Sequence, residues 1–112
     1  MPKLFALAAA AMRPLAQGRG SCLASDRITI ARQPVGFMYR EPPDHSIDSG
    51  WRFFSGEETQ EYADDASNFE IYDVNTIANY DPDIVPYLDA PAYSAFERHP
   101  VLHRFVSTAF PG

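Results

Sequence analysis

Carboxylates are the commonest side chains in this 112-residue chain that could carry chemistry, with 15 Asp and Glu against nine Lys and Arg. Most lie after residue 40, among them Asp44, Asp48, Glu57, Glu58, Glu61, Asp64, Asp65, Asp73, Asp81 and Asp83. Paired carboxylates can act as general acid and base or hold Ca²⁺ or Mg²⁺. Glu57 and Glu61 are spaced to share one face of a helix. Asp81 and Asp83 lack the glycine and spaced oxygen ligands of a calcium loop, so we interpret these carboxylates as a solvated acidic surface.

The sequence contains no motif for a catalytic centre, a cofactor or a metal ion. It has neither a Gly-X-Ser-X-Gly nucleophile elbow nor a glycine-rich loop for a phosphate or a dinucleotide. His99 and His103 have the spacing of two metal ligands on a helix, but Pro100 interrupts such a helix. We therefore predict no catalytic residue, no metal ligand and no cofactor.

Cys22 is the only cysteine, so no disulfide can form within the chain. Small apolar residues surround it, which favours a buried structural thiol over a reactive one. A lone cysteine fits a reducing compartment, and we expect a cytoplasmic protein.

Three stretches contain the side-chain types that dominate protein interfaces. Trp51 and Arg52 stand among acidic residues in 48–58, Tyr80 stands among Asn and Asp in 75–81, and Arg98 follows Glu97. A structural interpretation is open for each: Asn and Asp cap helices, Trp51 would pack in the core with Arg52 on the opposite face, and Arg98 could pair with an acidic helix. The recognition hypothesis predicts a protein-binding set of Asp48, Trp51, Arg52, Glu57, Glu58, Asn75, Asn79, Tyr80, Asp81 and Arg98.

Charge is distributed unevenly along the chain. Residues 1–40 carry six basic and one acidic side chain, a net +5, and residues 41–112 carry three basic and fourteen acidic side chains, a net −11. A nucleic-acid site needs clustered basic charge, so we do not expect nucleic-acid binding. An acidic body suits a basic protein partner, and solubility is the alternative explanation. No apolar run is long enough to span a membrane.

Residues 1–20 form an alanine-rich segment that we treat apart from the rest of the chain. Its apolar centre predicts a short helix that stops before Pro14. A basic start followed by an apolar run also resembles a weak secretory signal, but no Ala-X-Ala cleavage site follows. Residues 21–112 are predicted to form one domain, since that length can bury an adequate core.

The pattern of this second part predicts an α+β fold with an antiparallel sheet of about five short strands and short helices on one face. Candidate strands contain β-branched and aromatic residues and cover 23–30, 35–40, 51–54, 69–74, 92–97 and 102–107. Candidate helices cover 57–62, 76–80 with Asn75 as cap, and 82–88 with Pro82 at the first position. Antiparallel pairing of 35–40 with 51–54 is the simplest topology.

Four ordered blocks resemble a small bacterial family of unknown function that is similar to the Imm33-like immunity proteins of polymorphic toxin systems. They are Cys22-Leu23-Ala24-Ser25 with the stretch 34–41, Asp48-Ser49-Gly50-Trp51-Arg52-Phe53-Phe54, the stretch 73–84, and Ser94-Ala95-Phe96-Glu97-Arg98. The resemblance covers about residues 21–106 and leaves 1–20 outside. One departure is Tyr93, where the resemblance implies a glycine.

Together these observations give three hypotheses about function. The first, which the resemblance implies, is a non-enzymatic protein-binding domain that neutralises a toxin or another basic protein through its acidic face. The second is a small-molecule-binding or metal-dependent enzyme, which requires a pocket that joins Asp48, Arg52, Asn75 and Asp81. The third is a scaffold that self-associates through its aromatic strands; the sequence does not determine the oligomeric state.

Overall fold

The computed structural model describes residues 3–111, which form an α+β fold around one mixed sheet. The six strands are β1 (Ser21–Ser25), β2 (Phe37–Arg40), β3 (Asp48–Phe54), β4 (Phe69–Asp73), β5 (Ala95–Arg98) and β6 (Phe105–Ser107). The α-helices are α1 (Asp26–Thr29), α2 (Gln60–Asp64) and α3 (Val74–Tyr80), and 3₁₀ turns cover Ala9–Ala11, Ala66–Asn68 and Pro82–Tyr87. The predicted α+β class is confirmed.

The sheet has the strand order β4-β1-β3-β2-β5-β6. Strands β2 and β3 pair antiparallel, as predicted, and so do β1 with β4, β2 with β5, and β5 with β6. The predicted antiparallel sheet of about five short strands mostly matches: the sheet has six strands, and β1 departs from the prediction by pairing parallel with β3. Parallel neighbours need a crossover of a dozen or more residues, and the chain through α1 and β2 provides one.

Strand β3 contains a β-bulge. Its register with β1 shifts between the pairs Ser21–Asp48 and Leu23–Arg52, so β3 uses more residues than β1 over the same length. Gly50 lies in this bulge with φ +87°, and an added Cβ would come within 2.1 Å of the Glu41 carbonyl oxygen. A side chain at position 50 would therefore collide with the backbone of the preceding loop.

One strand prediction and one helix start were wrong, and a capping side chain explains each. The β-branched residues Ile28 and Thr29 lie in α1 rather than in a strand, because the Ser25 hydroxyl accepts a hydrogen bond from the Arg27 N–H and starts a helix there. Helix α3 begins at Val74, and its cap is Asp73 rather than Asn75. Local capping here outweighs β-propensity.

Helix α2 begins later than the predicted 57–62. Thr59 is its cap and accepts a hydrogen bond from the Tyr62 N–H, so the helix covers Gln60–Asp64. Glu57 lies before the helix and does not share a helix face with Glu61, which corrects that expectation. The predicted turn at 82–88 is confirmed, with Pro82 in its first position and Leu88 as the C-terminal cap.

The core lies on one face of the sheet, which we call the core face. Strand residues that point to this face pack against α1, α3 and the turn Pro82–Tyr87; the buried set includes Cys22, Ala24, Met38, Trp51 and Phe53 from strands, and Ile28, Val74, Ile77, Ala78 and Ile84 from helices. Helix α2 contributes no buried residue and contacts the sheet through Tyr62 and Phe69, whose ring centroids are 6.0 Å apart. The opposite face, which carries Phe37, Tyr39 and Phe54, is less covered, and we call it the open face.

Within residues 3–20, the alanine-rich segment forms one 3₁₀ turn, at Ala9–Ala11, in place of the short helix predicted before Pro14. Ala16 is buried in the core cluster, and the Ala6 N–H donates to the Thr29 carbonyl at 2.7 Å. Its first two residues lie outside the described part, and its assignment as a unit separate from 21–112 stays a prediction. No helix among residues 3–111 has the length and apolar character needed to cross a membrane.

Candidate functional site

A groove of about 820 Å³ lies on the open face of the sheet. Its floor consists of Phe37, Tyr39 and Phe54, and its two walls come from the segment around Glu57 and from the segment after Glu97. Phe37 and Tyr39 alternate along β2, and Phe37 is the register partner of Phe54 on β3, so strand geometry places all three rings on one face. A cavity of this size is in the range of roughly 300–1,000 Å³ that is typical of binding pockets.

The floor is a cluster of three neighbouring aromatic rings. The rings of Tyr39 and Phe54 are stacked at 11° with centroids 5.7 Å apart, and Phe37 lies 5.6 Å from Tyr39. Phe110 contacts Tyr39 edge-on, with ring centroids 5.6 Å apart. Partial burial raises the pKa of Tyr39, so its hydroxyl stays protonated at neutral pH. The three floor rings are only half-buried, so part of each ring remains open to a ligand.

One wall of the groove is acidic. Glu58 folds back onto its own loop and accepts hydrogen bonds from the Ser55 N–H at 2.8 Å, the Ser55 hydroxyl at 2.9 Å and the Gly56 N–H at 2.9 Å. Burial acts to raise the pKa of Glu58, but hydrogen bonds from the Ser55 backbone, Ser25 and Ser55 outweigh it and lower the pKa. Glu57 is exposed beside it. Glu58 therefore stays ionised at neutral pH, and Glu57 is a second carboxylate on this wall.

The other wall contains Arg98, whose charge is balanced by its own neighbours. Its guanidinium donates to Asp81 Oδ2 at 2.7 Å, to Asp83 Oδ2 at 3.1 Å and to the Val35 carbonyl at 3.0 Å. Asp81 is 6% exposed and also accepts a hydrogen bond from the Val35 N–H at 2.9 Å. The expectation that Arg98 pairs with the acidic helix was wrong, because these two carboxylates occupy it. Through these contacts, Asp81 and Arg98 connect β5 to the residues just before β2.

A second cluster lies near the other end of β3. Asp48 and Arg52 are each 8% exposed and form a bidentate pair, with Nη1–Oδ1 at 2.9 Å and Nη2–Oδ2 at 2.8 Å. Arg52 Nε also donates to Glu41 at 3.0 Å. The hydrogen bond from Arg52 holds the pKa of Asp48 far below its usual range, and the same bond raises the pKa of Arg52. With Cys22 and His45, this pair lines a depression of about 290 Å³.

Asn75, Asn79 and Tyr80 bind the N-terminal segment. Asn75 Oδ1 accepts from the N–H groups of Leu15 and Ala16, both at 2.8 Å, and Asn79 Oδ1 accepts from the Arg13 N–H at 2.8 Å. The Tyr80 hydroxyl accepts from the Leu7 N–H at 2.9 Å. These three side chains of α3 are thus occupied by the chain itself.

The structure divides the ten residues of the predicted recognition set among several places. It joins Asp48 with Arg52, Asp81 with Arg98, Asn75 with Asn79, and Glu57 with Glu58. Trp51 is 1% exposed and its indole N–H donates to the Leu88 carbonyl at 3.2 Å, so it packs in the core with Arg52 on the opposite face. That these residues contact a partner stays a prediction, and of the ten only Glu57, Glu58 and Arg98 line the groove.

The pocket that the enzyme hypothesis required is not formed. Asp48 and Arg52 line one depression, Asn75 lines another of about 260 Å³, and Asp81 is closed off by Arg98 and Val35. Within residues 3–111, no three His, Cys, Asp or Glu side chains are grouped in a way that could hold a metal ion. His99 is not on a helix; its Nδ1 accepts from the N–H groups of Val101 and Leu102.

The aromatic floor and Glu97 are groove residues that the recognition set omitted. The signal was present in the alternation of Phe37 and Tyr39 with Met38 and Arg40 along β2. Which of the two faces would be covered by helices depended on the packing of α1 and α3, and sequence alternation does not carry that information.

Comparison with known families identifies the class of this protein. The family model described as the immunity protein Imm33 domain matches residues 22–107. The chain therefore belongs to the Imm33 immunity protein family, which confirms the resemblance found in the sequence. No curated protein and no solved structure matches the chain.

Proposed function

We propose that this chain is a non-enzymatic immunity protein, which binds a toxin through an acidic surface and thereby neutralises it. Family membership supports the general class. The observation that carries the choice of surface is the run between Arg52 and Arg98, which contains no Lys or Arg but eleven Asp and Glu. In this proposal the partner is a basic protein and the complex forms in the cytoplasm.

The exposed carboxylates of this run are densest around α2. Glu57, Glu61, Asp64 and Asp65 are all exposed, and we call them the acidic ridge. Hydrogen bonds from the Ser67 hydroxyl and N–H lower the pKa of Asp65, so this member stays ionised well into acid. Two basic groups lie near the ridge in space: the Arg27 guanidinium is 4.8 Å from the Tyr62 ring, and the charge of Lys3 acts on Asp65. The ridge has four carboxylates and no Lys or Arg of its own, so its net charge is negative and attracts a cationic surface.

Such a surface affects the rate of association more than the final affinity. Complementary charge can accelerate encounter between two proteins and selects against like-charged partners. The interaction between exposed charges is screened beyond about 8–10 Å at physiological ionic strength. Binding through the acidic ridge should therefore weaken as salt is raised.

Capture of the partner and rescue from it form the direct test. Tagged protein is incubated with extract of its source cells at low and at high salt, and a captured protein is then expressed alone and together with this chain. The proposal expects a basic protein that arrests growth when expressed alone and is harmless when this chain is present. Capture of a partner whose toxicity the chain does not relieve would contradict the proposal.

A charge-matched pair of variants tests the surface. Glu61→Gln with Asp64→Asn and Asp65→Asn removes three charges from the ridge, and Asn at position 65 retains the cap of the following 3₁₀ turn. The control, Glu70→Gln with Asp83→Asn and Asp89→Asn, removes three exposed charges that already pair with Lys3, Arg98 and Arg19. We expect slower binding by at least about tenfold for the ridge variant only.

A further inference from the structure

We propose that the groove on the open face receives an extended basic segment of the partner and holds an arginine side chain against its aromatic floor. This inference rests on the proposed function for the presence of a protein partner, and it identifies the chemistry that the groove recognises. Three features carry it: the stacked rings, the uncompensated carboxylates beside them, and the dimensions of the groove.

The floor fits a planar cation. A guanidinium stacks on aromatic faces, where the negative face of the ring system attracts it. The ring planes of Tyr39 and Phe54 are 11° apart with centroids at 5.7 Å, so the half-buried pair offers a ring face on which a guanidinium can stack. The chain uses the same geometry internally, since Arg98 Cζ lies 4.4 Å from the Phe105 ring centroid and Arg27 Cζ lies 4.8 Å from that of Tyr62.

The walls supply a charge for that cation to meet. Glu97 is the register partner of Phe37, so its side chain stands on the open face directly beside the floor. Glu57 stands on the opposite wall, and Glu58 is held ionised by its loop. Arg98 is the one Lys or Arg among the residues that line the groove, and it is already matched by Asp81 and Asp83; His99 and His103 also line the groove. An arginine entering between Glu57 and Glu97 would therefore meet net negative charge.

The size of the groove argues for a segment of chain rather than a single side chain. About 820 Å³ is several times the volume of one arginine side chain. An extended segment places alternate side chains on one side. One arginine on the floor with its neighbours along the walls would fill this space.

The test uses the peptide acetyl-Gly-Arg-Gly-amide as probe and the same peptide with citrulline as a neutral control of equal shape. Binding to the full chain is followed by ¹H–¹⁵N NMR, with the amides of Gly36, Gly56 and Glu57 as reporters because these residues line the groove. A single-arginine probe is expected to bind with a dissociation constant on the order of millimolar. The citrulline peptide should bind at least about fivefold more weakly.

Two groove variants and one control variant connect the binding to the groove. Glu57→Gln with Glu97→Gln should weaken the arginine peptide by about five- to tenfold. Asp89→Asn, which removes an exposed carboxylate that pairs with Arg19 outside the groove, should leave it unchanged. Phe54→Leu should weaken the peptide while the carboxylates remain, and the dispersion of the NMR spectrum verifies that each variant is folded.

The outcomes separate this inference from the proposed function. Equal binding of the arginine and citrulline peptides, shifts confined to residues outside the groove, or wild-type affinity in the Glu57→Gln, Glu97→Gln variant would each overturn the groove assignment. If the chain neutralises a toxin and this variant does so equally well, the proposed function stands and the groove assignment fails. If arginine binds the groove but no toxin is neutralised, only the proposed function fails.

Discussion

Asp48 and Arg52 are four residues apart in β3, yet their side chains are joined by two hydrogen bonds of 2.8 and 2.9 Å. In a regular strand such residues are about 13 Å apart along the strand axis, because each residue advances the chain by about 3.3 Å. The bulge at Gly50 shortens this path, and the side chains can meet. The ion pair is thus a product of the bulge, and Glu41 and Asp44 complete its surroundings.

Asp48→Asn should destabilise the fold by about 3 kcal/mol, because it leaves the Arg52 guanidinium buried with only its more exposed carboxylate neighbours. Urea unfolding followed by circular dichroism measures the change. The double variant Asp48→Asn with Arg52→Met removes the unpaired charge and should recover part of the lost stability. A single variant as stable as the wild type would show that the pair has no structural role.

The same pair predicts how stability responds to acid. The pKa of Asp48 is lower in the folded than in the unfolded chain, so the stabilisation is complete above the unfolded pKa of about 3.9. It decreases as the pH falls below that value toward the lower folded pKa. The difference in unfolding free energy between wild type and Asp48→Asn should therefore be constant from about pH 5 to about pH 7 and should shrink in stronger acid. A difference that grows in acid would contradict this assignment.

Tyr93 lies in the left-handed region with φ +73°, where the resemblance implied a glycine. A residue with a Cβ is strained there by about 1–2 kcal/mol. Tyr93→Gly should therefore be more stable than Tyr93→Ala by about 1 kcal/mol, since both remove the ring that packs on Phe110 but only glycine relieves the backbone. Thermal unfolding of both variants gives the difference.

The control for that comparison is the neighbouring position 92, where wild type, with Ala92, is compared with Ala92→Gly. Ala92 is not among the residues with positive φ in the described chain, so glycine there should lower stability in the usual way. If glycine is worse than alanine at both positions, the strain at Tyr93 is absent.

The thiol of Cys22 should be unreactive in the native protein. It is 2% exposed, and burial together with the negative charge of Asp73 raises its pKa, so little thiolate is available. A thiol reagent at about pH 8, near the usual pKa of cysteine, should label Cys22 in the native protein only at the rate of unfolding. In denaturant the labelling should be complete. Rapid labelling of the native protein would contradict the burial.

Asn75→Ala should release the N-terminal segment. The variant loses the two hydrogen bonds from Leu15 and Ala16 and the one to the Arg13 carbonyl, at an expected cost of about 1–3 kcal/mol. Limited proteolysis should then cut near Arg13 faster than in wild type, with Thr76→Ala on the same helix as control. Equal cleavage rates would mean that the segment is held by other contacts.

The sequence by itself determined the class of fold and several local features of this protein. The alternation along β2, the aromatic residues of β3 and the start at Pro82 each depend on interactions within a few residues, so they could be predicted. The family could also be recognised, because it is carried by ordered blocks of residues. Positions where two local preferences compete were harder to predict. The Ser25 cap outweighed the β-propensity of Ile28 and Thr29, and α2 starts after Thr59 rather than at the acidic residues before it.

Only the tertiary structure decided which residues meet. The parallel pairing of β1 with β3 depends on a crossover, and the bulge that joins Asp48 to Arg52 arises from the register between those two strands. Arg98 pairs with Asp81 and Asp83, which are 17 and 15 residues away and lie at the start of the turn Pro82–Tyr87. Because α1 and α3 cover the core face, Phe37, Tyr39 and Phe54 on the open face stay accessible beside Glu57 and Glu97. These contacts join residues distant in sequence, and no local pattern specifies them.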